Sequence, residues 1–111
     1  EDGNYWFIDR IKNVIISGGE NIYPAELEVL LSNNKDLVEY SIVGKHDVRW
    51  GEVPVIVAVK KNKSVTSDQI LSLFNEKVAK YKIPKEVIFV DNIPKNALGK
   101  IEIDKVKQLV N

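Results

Sequence analysis

Alternating apolar and polar stretches near the start of the chain predict a small β-hairpin. Residues 5–8 and 14–16 are rich in aromatic and β-branched side chains, and the polar residues 9–13 separate them. Short runs of this composition on either side of a turn are typical of paired strands. Residues 17–21, which contain two glycines, then interrupt the chain and favour a turn from strand to helix.

A first helix is predicted to begin at Pro24, because proline suits the first helical position, where its missing N–H would be unpaired. Glutamates in the first turns favour the same assignment, since the helix dipole stabilises negative charge there. The predicted apolar face repeats at helical spacing and consists of Leu27, Leu30 and Leu31. Asn33 and Asn34 are predicted to end the helix.

The middle of the chain predicts two long strands, and a third follows later. Residues 38–42 alternate between apolar and polar side chains, whereas residues 53–59 are apolar on both faces, as in a central strand. A polar loop, residues 46–52, joins them and is too short for a crossover helix, so the two strands should pair antiparallel. Pro54 should lie near the start of its strand, because it lacks a hydrogen-bond donor. Residues 87–90 form the third strand.

Two further helices complete the pattern. Thr66 and Gln69 fit a capping box at the start of one helix, and Val65 and Ile70 fit a hydrophobic staple. The buried stripe of that helix is predicted to comprise Ile70, Leu71, Phe74 and Val78. Asp104 can cap a last helix, whose apolar positions are Val106, Leu109 and Val110.

These elements predict an α+β fold. Their order is ββαββαβ, followed by a loop and a final helix. We therefore expect a three-stranded, mainly antiparallel sheet with helices packed on it, plus a small N-terminal β-hairpin. The length of 111 residues fits a single domain, residues 1–111.

Charge and composition narrow the possible functions. Sixteen basic and sixteen acidic residues cancel, and no block of like charge suggests a nucleic-acid or anionic membrane partner. The absence of cysteine excludes disulfides and thiolate metal sites and permits a cytosolic location. His46 is the single histidine, so a histidine cluster for a metal is excluded, and no function is predicted for it. The longest apolar run, residues 53–59, is too short to span a bilayer.

One segment, residues 94–100, carries the strongest candidate chemistry. Gly99 permits a tight turn with positive φ, and Lys100 then projects as a compact positive charge. Such a lysine can stabilise charge that develops on a phosphoryl oxygen or on a pyrophosphate leaving group. Taken alone, the segment is more simply a surface turn with a solvated lysine.

Three other segments are candidates for binding. Gly18 and Gly19 allow another molecule to approach the backbone closely, although a plain turn explains them as well. Trp50, in a polar loop, can stack on a base, or it can fold back onto the core. Arg10 can donate several hydrogen bonds to a ribose or phosphate. Lys12 follows two positions later, near the junction with whatever precedes this chain, although a charged hairpin turn is the simpler interpretation of this segment.

Taken in order, these four segments resemble the C-terminal domain of the adenylate-forming superfamily. The matching stretches are residues 9–12, 17–26, 50–52 and 94–100, so the resemblance covers nearly the whole chain. The superfamily includes acyl-CoA synthetases, nonribosomal peptide adenylation domains and beetle luciferases. The glycine-rich segment and the Pro-Lys-Asn segment look more like those of fatty-acyl, aryl and succinylbenzoyl CoA ligases than like those of acetyl-CoA synthetase.

The resemblance implies a two-step reaction and assigns roles to individual residues. A carboxylate attacks the α-phosphate of MgATP to give an acyl-adenylate and pyrophosphate, and coenzyme A then captures the acyl group after the small domain rotates. Lys100 matches the lysine of the adenylation step. Arg10 matches an arginine near the nucleotide ribose, and Lys12 matches the hinge position.

The resemblance also implies a set of residues for coenzyme A (CoA). Gly18 and Gly19 match the loop that lines the pantetheine channel, and Trp50 matches an aromatic that contacts CoA in some relatives. Weaker correspondences place the CoA nucleotide near Tyr81, Lys82 and Lys85. ATP and Mg²⁺ would be bound mainly by a large N-terminal domain that this chain lacks, so the isolated domain is expected to be inactive. That large domain would be the chief partner.

Other functions remain open at this point. A different branch of the superfamily would pass the acyl group to a carrier-protein phosphopantetheine or use oxygen. A freestanding binding module with no enzymatic activity is a third alternative. The chain begins with Glu1 rather than Met, which favours a fragment of a larger enzyme.

Overall fold

Two long antiparallel strands form the centre of the fold. The computed structural model describes residues 13–111. Strands β3 (Leu37–Asp47) and β4 (Gly51–Lys60) pair along almost their whole length, so the predicted loop of residues 46–52 shrinks to residues 48–50. The predicted loop was too long because hydrophobic alternation indicates which residues are buried, whereas the backbone pairing of β3 with β4 continues through polar residues at their exposed end.

Within residues 13–111 the sheet contains five strands. Strands β1 (Ile15–Ser17) and β2 (Glu20–Ile22) join it on one side of β4, and β5 (Val87–Phe89) pairs with β4 in parallel. The α+β class and the mainly antiparallel character are confirmed. The predicted number of three strands is wrong, because the β1–β2 hairpin continues the sheet through a pairing of Ser17 with Gly51.

The predicted strand at residues 14–16 corresponds to β1, and it pairs with β2 in a hairpin that the sequence did not predict. Gly18 and Gly19, expected to form a turn from strand to helix, instead connect β1 to β2. Their φ angles of 59° and 85° are those of a two-residue hairpin turn that glycine accommodates without strain. Residues 5–8, which were predicted to pair with residues 14–16, lie outside the described residues.

The first two helices are short, and each continues into a 3₁₀ turn. Helix α1 (Pro24–Glu28) begins at Pro24 as predicted and leads into Val29–Leu31. Helix α2 (Ser67–Leu71) has the predicted capping box, and it continues as Ser72–Phe74.

Two details of the predicted helices are wrong. The helical conformation ends at Phe74 instead of reaching Val78, because Asn75 is extended and Glu76 has a φ of 61°, which an α-helix does not allow. Val78 nevertheless packs against the core as a partly buried residue. A further 3₁₀ turn, Lys80–Lys82, and then β5 follow. In helix α3 (Ile103–Val110) the N-cap position is Glu102, whose side chain makes no capping hydrogen bond, and Asp104 lies in the first turn instead of at the cap.

The core has two layers, one on each face of the sheet. Helices α1 and α2 cover one face, where the buried residues include Ile42, Ile56 and Phe74. Helix α3 covers the other face, where Val55 and Val106 are buried. Strand β4 contributes to both layers with alternate residues, so the prediction of a central strand covered on both sides is confirmed.

Candidate functional site

Lys100 lies on a small hairpin loop outside the main sheet. Lys95 and Ile101 pair as an antiparallel bridge at its base, and the Asn96 N–H donates to the Lys100 carbonyl at 2.8 Å. Gly99 has a φ of 84° at the turn, as its predicted role requires. Lys100 itself is an exposed residue.

The side chain of Asn96 organises the tip of this loop. Its Oδ1 accepts hydrogen bonds from the backbone N–H of Leu98 at 2.9 Å and of Lys100 at 3.0 Å. The Asn96 carbonyl accepts a third from Gly99 at 3.0 Å. The sequence drew attention to Asn96 only as part of a motif, and gave no reason for an amide at this position.

The base of the loop is fixed to strand β3. Lys95 forms an ion pair with Glu39, which lies near the beginning of that strand. On the other side, the Glu102 N–H donates to the Pro94 carbonyl at 2.9 Å, directly before α3. The loop therefore has defined attachments at both ends, and residues 96–100 between them are exposed.

An open cleft of about 780 Å³ lies beside Lys100. Lys95 and Lys100 line one side of it, and residues of α1 and β3 line the other, including Glu28, Tyr40 and Ser41. The carboxylate of Glu28 accepts a hydrogen bond from the Ile42 N–H at 3.2 Å. Ser41 is fully buried, and within residues 13–111 no hydrogen-bond partner is found for its hydroxyl. We call this the lysine cleft.

A second surface forms where the β1–β2 hairpin meets β4. The Gly18 N–H donates to the Trp50 carbonyl at 2.8 Å, and the Trp50 ring packs so closely on Gly18 that a Cβ there would lie 2.8 Å from Cε3. The ring is 45% exposed, with the Arg49 guanidinium 5.2 Å from its centroid. Trp50 therefore does not fold back into the core, and it presents an aromatic surface beside the glycine turn.

Glu52 connects the hairpin to the sheet. Its Oε1 accepts a hydrogen bond from the Ile16 N–H at 3.1 Å. The carboxylate occupies the space over Gly44, where an added Cβ would lie 3.0 Å from Cδ of Glu52. Sequence reasoning named Glu52 in a motif but missed this contact, because residues 16 and 52 are far apart along the chain.

Lys85 lies close to Trp50 in space. Both line a smaller cleft of about 340 Å³, together with Lys45, His46 and Glu86. The Lys85 N–H donates to the Pro54 carbonyl at 2.9 Å, and Lys45 pairs with Glu86 at 2.8 Å. The structure thus brings three predicted CoA-binding positions together, Gly18, Trp50 and Lys85. We call this the tryptophan cleft.

Tyr81 and Lys82 lie elsewhere. Tyr81 is exposed on the 3₁₀ turn Lys80–Lys82, and Lys82 pairs with Glu26 of α1 at 3.3 Å. Within the described part of the chain, neither residue lines the lysine cleft or the tryptophan cleft. Arg10 and Lys12, predicted to contact ribose and to act as the hinge, lie outside the described residues.

The two clefts occupy opposite ends of strand β3. Tyr40 lines the lysine cleft and His46 the tryptophan cleft, and they are six positions apart in the same strand. At roughly 3.4 Å per residue, this corresponds to about 20 Å. One continuous β-ribbon therefore carries both clefts and holds them at a fixed separation.

Residues 13–111 contain neither a candidate metal site nor a candidate membrane-spanning helix. These residues hold no group of three or more histidine, aspartate or glutamate side chains suited to binding a metal ion. None of their helices has the length and apolar character that a membrane crossing requires.

Comparison with known proteins decides the family. The sequence profile described as "AMP-binding enzyme C-terminal domain" matches residues 26–100, which span β3, β4 and the loop that carries Lys100. The chain belongs to this family. The chain is similar to an indoleacetate–CoA ligase of Aromatoleum aromaticum, with 48% identity over 98% of this chain. A 2-succinylbenzoate–CoA ligase of Bacillus cereus is 43% identical over 99% of the chain.

Solved structures of AMP-binding enzymes share the fold as well. A fatty acyl CoA synthetase of Mycobacterium tuberculosis superposes with a TM-score of 0.83 at 38% identity over 90% of this chain. An o-succinylbenzoate CoA synthetase of Bacillus subtilis, solved with its acyl-adenylate intermediate, gives 0.78 at 38% identity over 86%. The chain spans only about a fifth of these relatives: 22% and 23% of the two ligases and 20% of each solved chain.

Proposed function

We propose that this chain is the mobile C-terminal domain of an ATP-dependent acyl-CoA synthetase. The enzyme would convert a carboxylate, ATP and CoA into acyl-CoA, AMP and pyrophosphate through an acyl-adenylate. Family membership and the two CoA ligases among the relatives support this assignment. A large N-terminal domain would bind the acid and most of the MgATP. Because both co-substrates are cytoplasmic metabolites, we propose the cytoplasm as its location.

In the first half-reaction, a carboxylate oxygen attacks the α-phosphorus of ATP and pyrophosphate leaves. We assign Lys100 to this step, because its ammonium group stands at an exposed loop tip from which it can enter a neighbouring domain. A fixed positive charge there stabilises the negative charge that develops on the phosphoryl oxygens and the leaving group. Arg10 would contact the nucleotide ribose.

In the second half-reaction, the thiol of CoA attacks the acyl carbonyl and AMP leaves. We assign Gly18 and Gly19 to the pantetheine channel, since the absence of side chains lets the thiol arm approach the backbone. The half-exposed ring of Trp50 offers a stacking surface for the adenine, and Lys85 offers a charge for the phosphates. Tyr81 lies outside the tryptophan cleft, so its proposed contact with CoA has the least support.

The separation of the two clefts is the observation on which this function depends. A ribbon that holds them about 20 Å apart cannot present both to one active site in a single orientation. Rotation of the domain about Lys12 would bring first Lys100 and then the glycine turn to the reacting carbonyl. Domain rotations of this kind are common where one site serves two chemical steps.

Half-reaction assays on the complete enzyme test the assignment of Lys100. Lys100→Ala should slow adenylate formation by about 10²- to 10³-fold, as loss of a transition-state charge does. Thioester formation from supplied acyl-adenylate should stay within about twofold of the wild type, because the tryptophan cleft is intact. Lys63→Ala, an exposed lysine in the turn after β4, is the matched control. Equal loss of both half-reactions in Lys100→Ala would contradict the assignment.

The identity of the acyl acceptor needs a separate assay. Trp50→Ala should raise KM for free CoA by about tenfold, since stacking on an aromatic ring contributes about 1–3 kcal/mol. Adenylate formation should not change. If only a carrier-protein phosphopantetheine accepted the acyl group, the adenylation domain of another superfamily branch would be the better assignment.

A further inference from the structure

We propose that Asn96 is a positioning residue for the adenylation step, acting through Lys100. The proposal rests on the function assigned to Lys100 above. Asn96 does not contact the reacting groups in this interpretation. Its role is to hold the backbone from which the lysine side chain extends.

The hydrogen bonds around Asn96 are concentrated on the segment that ends at Lys100. One side-chain oxygen accepts from the N–H groups of Leu98 and Lys100, at 2.9 and 3.0 Å. The backbone of the same residue donates to the Lys100 carbonyl and accepts from Gly99, at 2.8 and 3.0 Å. Both the N–H and the C=O of Lys100 are therefore bonded to a single residue.

No side-chain packing substitutes for these bonds at the tip. Ala97 and Gly99 are exposed, and Leu98 is 83% exposed, so the hydrophobic effect contributes little to the shape of residues 97–99. The ion pair of Lys95 with Glu39 fixes only the base of the loop. Asn96 therefore makes the hydrogen bonds that hold the backbone from Leu98 to Lys100.

A fixed backbone matters here because lysine is a long and flexible side chain. Its ammonium group is carried on four methylene groups, and a mobile attachment point would enlarge the volume in which that charge is found. A displacement of about 1 Å at a catalytic group can lower a rate by about 10²-fold. Asn96 would confine the charge without touching it.

Amide exchange tests the structural part on this chain alone. In Asn96→Ala, the N–H groups of Leu98 and Lys100 should exchange at least about fivefold faster by NMR. In Asn96→Asp, which keeps the acceptor oxygen, their exchange should remain near that of the wild type. The Ile56 N–H, bonded to the Glu86 carbonyl in the sheet, is the control for an intact fold. Unchanged exchange of Leu98 and Lys100 in Asn96→Ala would overturn the proposal.

Kinetics of the complete enzyme test the functional part. Asn96→Ala should slow adenylate formation by about ten- to a hundredfold and leave thioester formation from supplied acyl-adenylate unchanged, whereas Asn96→Asp should restore most of the rate. In a Lys100→Ala background, Asn96→Ala should cause no further loss, as expected for residues that act as one unit.

The outcomes separate the two proposals. An equal loss from Asn96→Ala with and without Lys100 would show that Asn96 acts independently and would overturn its positioning role, while the assignment of Lys100 would stand. A wild-type adenylation rate in Lys100→Ala would overturn the proposed function and the positioning role that rests on it, even if the exchange result held.

Discussion

Trp50 lies against Gly18 with no room for a side chain between them. A Cβ at position 18 would lie 2.8 Å from Cε3 and 3.1 Å from Cζ3 of the ring, and the backbone of Gly18 also donates to the Trp50 carbonyl at 2.8 Å. The neighbouring Gly19 has a positive φ as well, yet nothing lies within 4 Å of its missing Cβ. The two glycines of one turn are therefore required for different reasons.

Replacement of each glycine by alanine should separate these reasons. Gly19→Ala adds only the strain of a left-handed backbone and should lower the free energy of unfolding by about 1 kcal/mol. Gly18→Ala adds the overlap with the ring, and should cost about 2 kcal/mol in all. Urea denaturation of the two variants measures the difference. Equal losses would show that the ring moves aside freely.

The contact between Gly18 and the Trp50 ring also predicts a change in the exposure of Trp50. Gly18→Ala should displace the ring and shift its fluorescence to longer wavelength, whereas Gly19→Ala should not. Trp6 is the other tryptophan of the chain, so the measurement belongs in a Trp6→Phe background. An unchanged spectrum in Gly18→Ala would contradict a fixed contact between the ring and the turn.

The space over Gly44 should be as restrictive as that over Gly18. Gly44→Ala should displace the Glu52 carboxylate, weaken its hydrogen bond to Ile16, and lower the free energy of unfolding by about 1–3 kcal/mol. In a Glu52→Ala background the overlap is absent, so Gly44→Ala should lower the free energy of unfolding much less. Urea denaturation of the wild type, the two single variants and the double variant measures this coupling. Additive losses would show that Gly44 and Glu52 are not coupled.

Helix α3 offers a matched pair for the packing of the second core layer. Val106 is fully buried against β4, whereas Leu109 is 50% exposed. Val106→Ala should therefore cost about 1–3 kcal/mol of unfolding free energy through lost burial and an unfilled cavity. Leu109→Ala should stay within about 0.5 kcal/mol of the wild type. Similar losses in the two variants would contradict the observed orientation of the helix.

Structural features that depend on residues close together in the sequence were predicted correctly. The capping box of Thr66 and Gln69, the helix start at Pro24 and the central position of β4 follow from local chemistry or from period alone, and the structure has all three. The turn at Gly99 also followed from one residue type. Each of these features is decided within a few positions along the chain.

Contacts between distant residues could not be predicted in the same way. The bond from Ile16 to Glu52 and the proximity of Lys85 to Trp50 depend on the pairing of β1 and β5 with β4, which no local pattern encodes. The β1–β2 hairpin was not predicted, because two glycines are compatible both with a turn into a helix and with a turn between strands. Leu109 was assigned to an apolar face because hydrophobicity alone does not show which side a neighbour covers.

The connection between β3 and β4 has a consequence for folding. Only residues 48–50 separate these strands, and Asp47 Oδ1 closes the turn by accepting from the N–H groups of Arg49 and Trp50, both at 2.9 Å. Because so short a loop loses little chain entropy on closure, we expect this ribbon to form first, with β1, β5 and the helices docking on it afterwards. The element that joins both clefts would then be the earliest part of the chain to acquire its native shape.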